Sequence, residues 1–240
     1  MKNNLQIEVC VESIDTVVEA DRQGVDRIEL CSALDLGGLT PSYAMIPQCR
    51  SIFSGELYVM IRPRPGTFVY SAAERAVMKK DIEVCARLGV DGVVFGGLTR
   101  EGYPDEVLCT ELLHAAKKAH LRATFHRAFD GVADVEKGLE QLIKWEFDRI
   151  LTSGQAQVAV EGINLIGRMV QQSQGRIEIM AGGGVDAANA PELIQAGVDA
   201  LHFSARIPKG VPLPLQMGKS YLPNKDKIHQ MMLLKQQFPR

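Results

Sequence analysis

The chain is poor in aromatic residues, at 6% of its 240 with a single tryptophan, and it has no long apolar run, no long run of one charge and no Cys-x-x-Cys pair. Each shortage excludes something. Without a stretch of about 20 apolar residues, no transmembrane helix is expected. Lys and Arg number 27 and Asp and Glu 29, and the two signs are interspersed, so no electrostatic footprint marks a nucleic-acid or anionic-membrane partner. Five cysteines, an odd number without paired spacing, outline neither a disulfide framework nor a zinc knot and suit reduced thiols. Residues Met1 to Gln6 hold no basic region followed by an apolar one, so no secretory signal is expected and the expected location is the cytoplasm. A dinucleotide-binding glycine fingerprint is also missing after the first expected strand.

What is present is an internal echo. Gly24-Val25-Asp26-Arg27-Ile28, Gly89-Val90-Asp91-Gly92-Val93 and Gly197-Val198-Asp199-Ala200-Leu201 share it, with a looser copy at Phe147-Asp148-Arg149-Ile150. Each Gly suits the left-handed residue that ends a helix, each Asp a turn, and the apolar residues a strand. The four Asp positions are 65, 57 and 51 residues apart. A βα unit takes about 30 residues, so each gap holds two units and the echoes mark strands 2, 4, 6 and 8. The odd strands then fall at Gln6 to Val11, Leu57 to Arg62, Leu121 to His126 and Ile177 to Ala181. Helix starts lie between them: Ser13 before Ile14, Thr40 as cap with Pro41 at the first helical position, and Ser71 with Glu74 as a capping box. The expected fold is α/β, a single (βα)8 TIM-type barrel over residues 1–240. Its rival is an open doubly wound sheet, which the even spacing and the missing fingerprint disfavour. The C-terminal segment 207–240 is Pro-rich from Pro208 to Pro223 and ends in a helix from Asn224 to Phe238.

Alternation along the strands sorts the side chains. Ile28, Val93, Ile150 and Leu201, with Leu30, Phe95, Thr152 and Phe203, fall on the helix-packed face. Glu8, Cys10, Glu29, Cys31, Met60, Arg62, Thr124, His126, Ser153, His202 and Ser204 point into the barrel. The expected partners for Glu8 and Glu29 are Arg62, Arg64 and Arg127, because an unpaired buried carboxylate is costly. Two readings stand: a structural ion-pair network plugging the barrel mouth, or a site in which two inward histidines beside two carboxylates and two thiols bind a ligand or move protons. A second signal is Gly182-Gly183-Gly184 leaving strand 7, which with Ser204 is placed to cradle an anion; a tight turn needing Gly for its backbone angles is the alternative.

These residues, in order, resemble the CutC copper-homeostasis family. The matching stretches are Glu8-Val9-Cys10-Val11-Glu12-Ser13, Asp26-Arg27-Ile28-Glu29-Leu30-Cys31-Ser32, Gly37-Gly38-Leu39-Thr40-Pro41-Ser42, Ile61-Arg62-Pro63-Arg64, Phe68-Val69-Tyr70-Ser71, Thr124-Phe125-His126-Arg127-Ala128-Phe129-Asp130, Leu151-Thr152-Ser153-Gly154, the triple glycine, and His202-Phe203-Ser204-Ala205. The resemblance implies a cytoplasmic TIM-type barrel concerned with copper, a homodimer or larger homo-oligomer, with Cys10 and Cys31 as the thiols for Cu(I). After Ile207 the chain departs from the pattern, with an abbreviated stretch before the final helix.

Two functions follow. One is a copper-homeostasis protein holding Cu(I), a soft ion that suits soft thiolates, between Cys10 and Cys31; the alternative for those thiols is that of small buried hydrophobes. The other is a barrel enzyme acting on a small anionic, perhaps phosphorylated, metabolite. Glu29, His126 or His202 would then be acid and base, and Arg62, Arg64 and Arg127 would hold the anion, with Glu8, Ser153, Gly182, Gly183, Gly184 and Ser204 around it.

Overall fold

The structure is a computed structural model and describes residues 5–210 and 219–238. Strands and helices alternate: β1 (Gln6–Val11), α1 (Ile14–Arg22), β2 (Arg27–Leu30), α2 (Met45–Ile52), β3 (Glu56–Met60), α3 (Ala72–Arg87), β4 (Gly92–Phe95) and α4 (Glu106–Lys118). The second half continues with β5 (Arg122–Phe125), α5 (Val135–Trp145), β6 (Arg149–Thr152), α6 (Ile163–Ser173), β7 (Glu178–Gly182), α7 (Ala190–Gln195) and β8 (Ala200–Ser204). Each strand pairs in parallel with the next, and β8 closes on β1. The fold is a closed TIM-type barrel. Among the described residues no helix is long and apolar enough to cross a membrane.

The Asp echo has a structural cause. Each echo carboxylate accepts the backbone N–H of the preceding odd strand: Asp26 from Ile7 at 2.7 Å, and Asp91, Asp148 and Asp199 from Leu57, Ala123 and Ile179 at 2.8 Å. Each echo carbonyl accepts from the first residue of the following odd strand, at Glu56, Arg122, Glu178 and, across the closure, Gln6. One residue thus ties three strands at the N-terminal face of the barrel, four times over, and satisfies the amides where each strand begins. The glycines before the echoes have positive φ at Gly24, Gly89 and Gly197. The looser copy lacks that Gly, and Glu146 takes the left-handed conformation instead, with φ 67°.

Ser13 caps α1 and Ser71 with Glu74 forms the capping box of α3, as their sequences predict. Thr40 does not cap α2. Its hydroxyl accepts the N–H of Arg62 at 2.8 Å, fastening the loop after β2 to the exit of β3, and α2 begins only at Met45. The Pro-rich segment carries a short antiparallel pair, β9 (Arg206–Pro208) with β10 (Tyr221–Pro223), before α8 (Lys225–Gln237), whose cap is Asn224; residues 211–218 lie outside the described residues.

The two faces of the sheet sort as alternation requires. Ile28, Leu30, Val93, Phe95, Ile150, Leu201 and Phe203 are buried in the main core with the helices, while Cys31, Tyr58, Met60 and Val94 pack together inside the barrel. The floor of the interior is charged. Arg27 and Arg149, 1% and 0% exposed, hold their guanidinium groups over the Tyr58 ring at 5.1 and 5.3 Å. Arg27 pairs with Glu8 and Glu56, and Arg149 with Glu178 at 2.5 Å, so each buried cation meets a carboxylate.

Candidate functional site

The register places the polar side chains in steps up the barrel. Glu8 lies opposite Arg27 on β2 and His202 on β8, and Cys10 opposite Glu29 and Ser204. Glu8, fully buried, therefore bridges: one oxygen takes the guanidinium of Arg27, and the other is 2.6 Å from His202 Nδ1. Burial alone would raise the Glu8 pKa, but Arg27 and His202 outweigh it and hold the carboxyl well below the usual carboxylate range. Burial likewise disfavours the His202 imidazolium. Cys10 and Glu8 beside the ring reverse that and raise its pKa well above the ordinary value.

Glu29 is reached from the other side of the same ring, with its Oε2 3.8 Å from His202 Nε2 and 3.5 Å from the thiol of Cys31, and its Oε1 has no partner among the described residues. Burial pushes this carboxyl up to about 7; His202 resists the rise and Glu8 adds to it. Among the described residues no arginine pairs with Glu29: Arg27, one step below on the same strand, takes Glu8, and the three expected arginines are engaged elsewhere. Arg62 and Arg64 do not reach either glutamate. Arg62 donates to the carbonyls of Leu36, Gly38 and Gly66 and lies 5.0 Å over Phe68, so it ties two loops together. Arg64 binds Glu74 of the capping box and the carbonyls of Thr67 and Val69. Arg127 pairs with Asp130 at 2.8 Å and Ser153 at 2.7 Å.

Above these groups opens a cavity of about 330 Å³ lined by Cys10, Glu29, His126, Arg127, His202 and Ser204, together with Gly183, Gly184, Arg206 and Lys227. Glu8, Arg62, Arg64, Ser153 and Gly182 do not line it. Ser153 is taken up by Arg127, Asp130 and Ala156. Gly182 makes room for a neighbour: a Cβ there would stand 2.5 Å from Leu151 and 3.2 Å from the His202 side chain. Gly183 and Gly184 reach the cavity with φ of 104° and 68°. The turn that follows them is satisfied internally, since Asp186 accepts from Ala188 and Asn189, and Asn189 from Asp186.

His126, at the end of β5, differs from His202 in every respect that matters to a proton. Its Nδ1 accepts the Ala128 N–H at 3.2 Å, and burial followed by the nearby Arg62 charge pushes its pKa down to about 3. Sequence reasoning missed Arg27 and Arg149, although both stand at the same place in an echo, and it missed Lys227. Lys227 comes from α8, half-buried, with Nζ 5.3 Å over the Phe203 ring and no ion pair within 4 Å among the described residues; burial lowers its pKa and the Asp186 charge opposes that.

The CutC family model matches residues 5–207. The chain belongs to the CutC family. A family protein CutC of Histophilus somni is 45% identical over 203 residues, 84% of this chain and 83% of that one. The copper homeostasis protein cutC homolog of Homo sapiens is 44% identical over 205 residues, 85% of this chain and 74% of that one. Among solved structures, the putative copper homeostasis protein CutC from Streptococcus agalactiae superposes with a TM-score of 0.76 at 35% identity, covering 83% of this chain and 98% of that one. A 3-hexulose-6-phosphate synthase from Salmonella typhimurium, with a TM-score of 0.64 at 13% identity over 97% of this chain and 99% of that one, shares the fold alone.

Membership in a copper-homeostasis family makes the fit of Cu(I) a question for the two thiols. Both point inward, but the register sets Cys10 against Glu29, with Cys31 one inward step higher. Burial and then the Glu29 charge push the Cys31 thiol well above its ordinary value, and it is directed at Glu29. Cys10 is directed at the Phe203 carbonyl, 3.6 Å away. Each thiol is engaged with a protein oxygen, so holding Cu(I) between them would require both contacts to be given up and the Cys31 proton to leave.

Proposed function

We propose that this CutC protein binds a small organic anion in the mouth of its barrel and transfers a proton to or from it through Glu29. The observation that carries the reading is that three buried polar atoms on residues lining one cavity, Glu29 Oε1, His126 Nε2 and Ser204 Oγ, have no hydrogen-bond partner among the described residues. Buried polar groups are nearly always satisfied, and three unpaired atoms on residues that line one cavity support a polar ligand as the missing partner. At the rim, Lys227 and Arg127 supply positive charge; among the described residues Lys227 forms no ion pair within 4 Å, and the Asp186 charge acts on it from farther away. Inside, His202 is held by Glu8 and faces Glu29, which orients the carboxyl and gives it a charged neighbour through which its proton affinity is tuned. The five buried free cysteines support a reducing, cytoplasmic setting for this work. Assembly as a homo-oligomer belongs to the same proposal, on the family resemblance, and sedimentation tests it.

Native mass spectrometry of protein purified without oxygen tests the main reading. Parent protein is expected to retain or take up a phosphorylated or carboxylated metabolite that Lys227→Met binds more weakly. If no anion from a broad panel binds to the parent at millimolar concentration, near the weak limit for small ligands, the reading fails.

A second reading, Cu(I) as cargo on Cys10 and Cys31, is favoured by one observation: both thiols lie against the same Glu29–His202 pair. Loading would have to remove the Cys31 proton and its contact with Glu29. In anaerobic competition against a Cu(I) chelator, this reading expects Cys10→Ser and Cys31→Ser each to lose most uptake, and Cys49→Ser, Cys85→Ser and Cys109→Ser none. Equal uptake by all five variants and the parent eliminates it.

A further inference from the structure

We infer that His126 is the hydrogen-bond donor to the reacting oxygen of the ligand, which assigns the substrate to small anions bearing a carbonyl and the reaction to proton transfer at the carbon beside it. This deepens the acid–base reading above and rests on it. The inference starts from the tautomer. A backbone N–H only donates, so His126 Nδ1, which accepts from Ala128, carries a lone pair, and the proton of the neutral ring sits on Nε2. That Nε2–H lies on a cavity-lining residue only 3% exposed and has no partner among the described residues.

The ring is fixed where it stands. Phe68 packs at 4.9 Å and Phe125 at 6.1 Å, and the lack of a side chain at Gly96 admits it, since a Cβ there would come within 2.8 Å of Nδ1. In a closed eight-stranded barrel, β5 lies across from β1, and β2 and β8, which carry Glu29 and His202, flank β1. A ligand in the cavity is therefore approached by the donor from one side and by the carboxylate from the other.

That arrangement has one balanced use. Ionised Glu29 takes the proton from the carbon beside the carbonyl, the C–H electron pair becomes the new C=C bond, and the carbonyl π pair moves onto oxygen. The oxygen, now an enolate, is met by Nε2–H. Where that carbon also bears a hydroxyl, the hydroxyl proton passes to the neighbouring enolate oxygen, the carbonyl re-forms at the hydroxyl carbon, and the proton on Glu29 is delivered to the former carbonyl carbon, which completes an isomerisation with no oxidant or reductant. A neutral imidazole suits this role because its N–H stabilises the oxyanion without surrendering the proton. Burial and the Arg62 guanidinium keep the ring neutral, so His126 complements His202 and does not duplicate it.

Two measurements on the full-length protein test the assignment. Histidine-selective nitrogen NMR of the parent at neutral pH is expected to find His126 neutral, with Nδ1 bare and Nε2 protonated; an imidazolium or the opposite tautomer overturns it. Binding is then measured for inorganic phosphate and for phosphoglycolohydroxamate, whose hydroxamate imitates an enolate. His126→Phe is expected to weaken the hydroxamate by about tenfold, the worth of one well-placed hydrogen bond, and to leave phosphate unchanged, while His126→Gln recovers part of the loss. If phosphate binds the parent and the hydroxamate binds no better, or His126→Phe leaves hydroxamate affinity intact, the assignment is wrong and the anion reading stands. Failure of both probes on the parent overturns both.

Discussion

Replacing Glu29 by glutamine removes a carboxyl whose ionisation the fold opposes, and the sign of the effect depends on pH. In the unfolded chain the group titrates near its ordinary value of 4.5, and in the folded barrel near 7. Below about pH 4.5 both states hold the proton and the group contributes nothing to the balance. Between the two values the folded state binds more protons than the unfolded, so stability falls as pH rises and the loss is complete above about 7. At about 1.4 kcal/mol per unit, the interval from 4.5 to about 7 amounts to about 3 kcal/mol. Glu29 is buried, so solvent screening takes little from this.

Glu29→Gln should therefore be as stable as the parent, or slightly less so, at acid pH and more stable by about 2 to 3 kcal/mol above about pH 8. The gain is somewhat below the full figure because His202 loses one of its two carboxylate neighbours. Urea unfolding of both proteins across the pH range measures it, with the midpoint as the quantity read if the slopes agree. A difference that stays flat with pH refutes the reasoning. So does a variant less stable than the parent at high pH, since that would mean Glu29 is held ionised by a cation.

Glu8→Ala should cost about 3 kcal/mol or more at neutral pH in the same assay, because it leaves Arg27 buried with only the half-exposed Glu56. The folded pKa of Glu8 is depressed, so its contribution is present above the ordinary 4.5 and lost as pH falls toward the folded value; the penalty of the substitution should shrink in acid, and a penalty independent of pH would count against the pair. Asp148→Ala should cost about 1 to 2 kcal/mol by stranding the Ala123 N–H at a strand start, and a negligible change in the urea midpoint would show that the echo aspartates are dispensable.

Much of this was legible because the signals were periodic. Four Asp echoes counted eight strands, and period-two alternation from them put Glu29, His202, Cys10 and His126 inside the barrel, where they are. Register was not legible, since alternation tells the face of a residue but not its opposite number on the next strand. Alternation alone therefore pairs Glu29 with an arginine, whereas Glu8 takes Arg27 and Glu29 meets a histidine and a thiol. The signal for Arg27 and Arg149 was present in two echoes, Asp26-Arg27 and Asp148-Arg149, two residues before the inward Glu29 and Leu151. Arg64 could have been assigned to Glu74 once the capping box was recognised. Lys227 had no such signal: α8 follows the barrel, and only its docking against Phe203 brings the amine to the rim.

The same register links the two functional readings. Cys31 is directed at the very carboxylate that an organic ligand would engage, and Cys10 lies opposite it on β1. An ion held by both sulfurs would displace the contact between Cys31 and Glu29, and a ligand on Glu29 would compete with Cys31 for the same carboxyl. Two ligands that compete for one group must weaken each other by the same factor. Cu(I) uptake by the parent, measured by chelator competition, should therefore fall when phosphoglycolate is present at saturating concentration, and phosphoglycolate affinity should fall by an equal factor in the copper-loaded protein. Glu29→Gln should diminish the coupling, because the amide neither attracts the thiol as strongly nor changes charge with the ligand. Uptake that is unchanged by bound phosphoglycolate would separate the two sites and refute the shared role of Glu29.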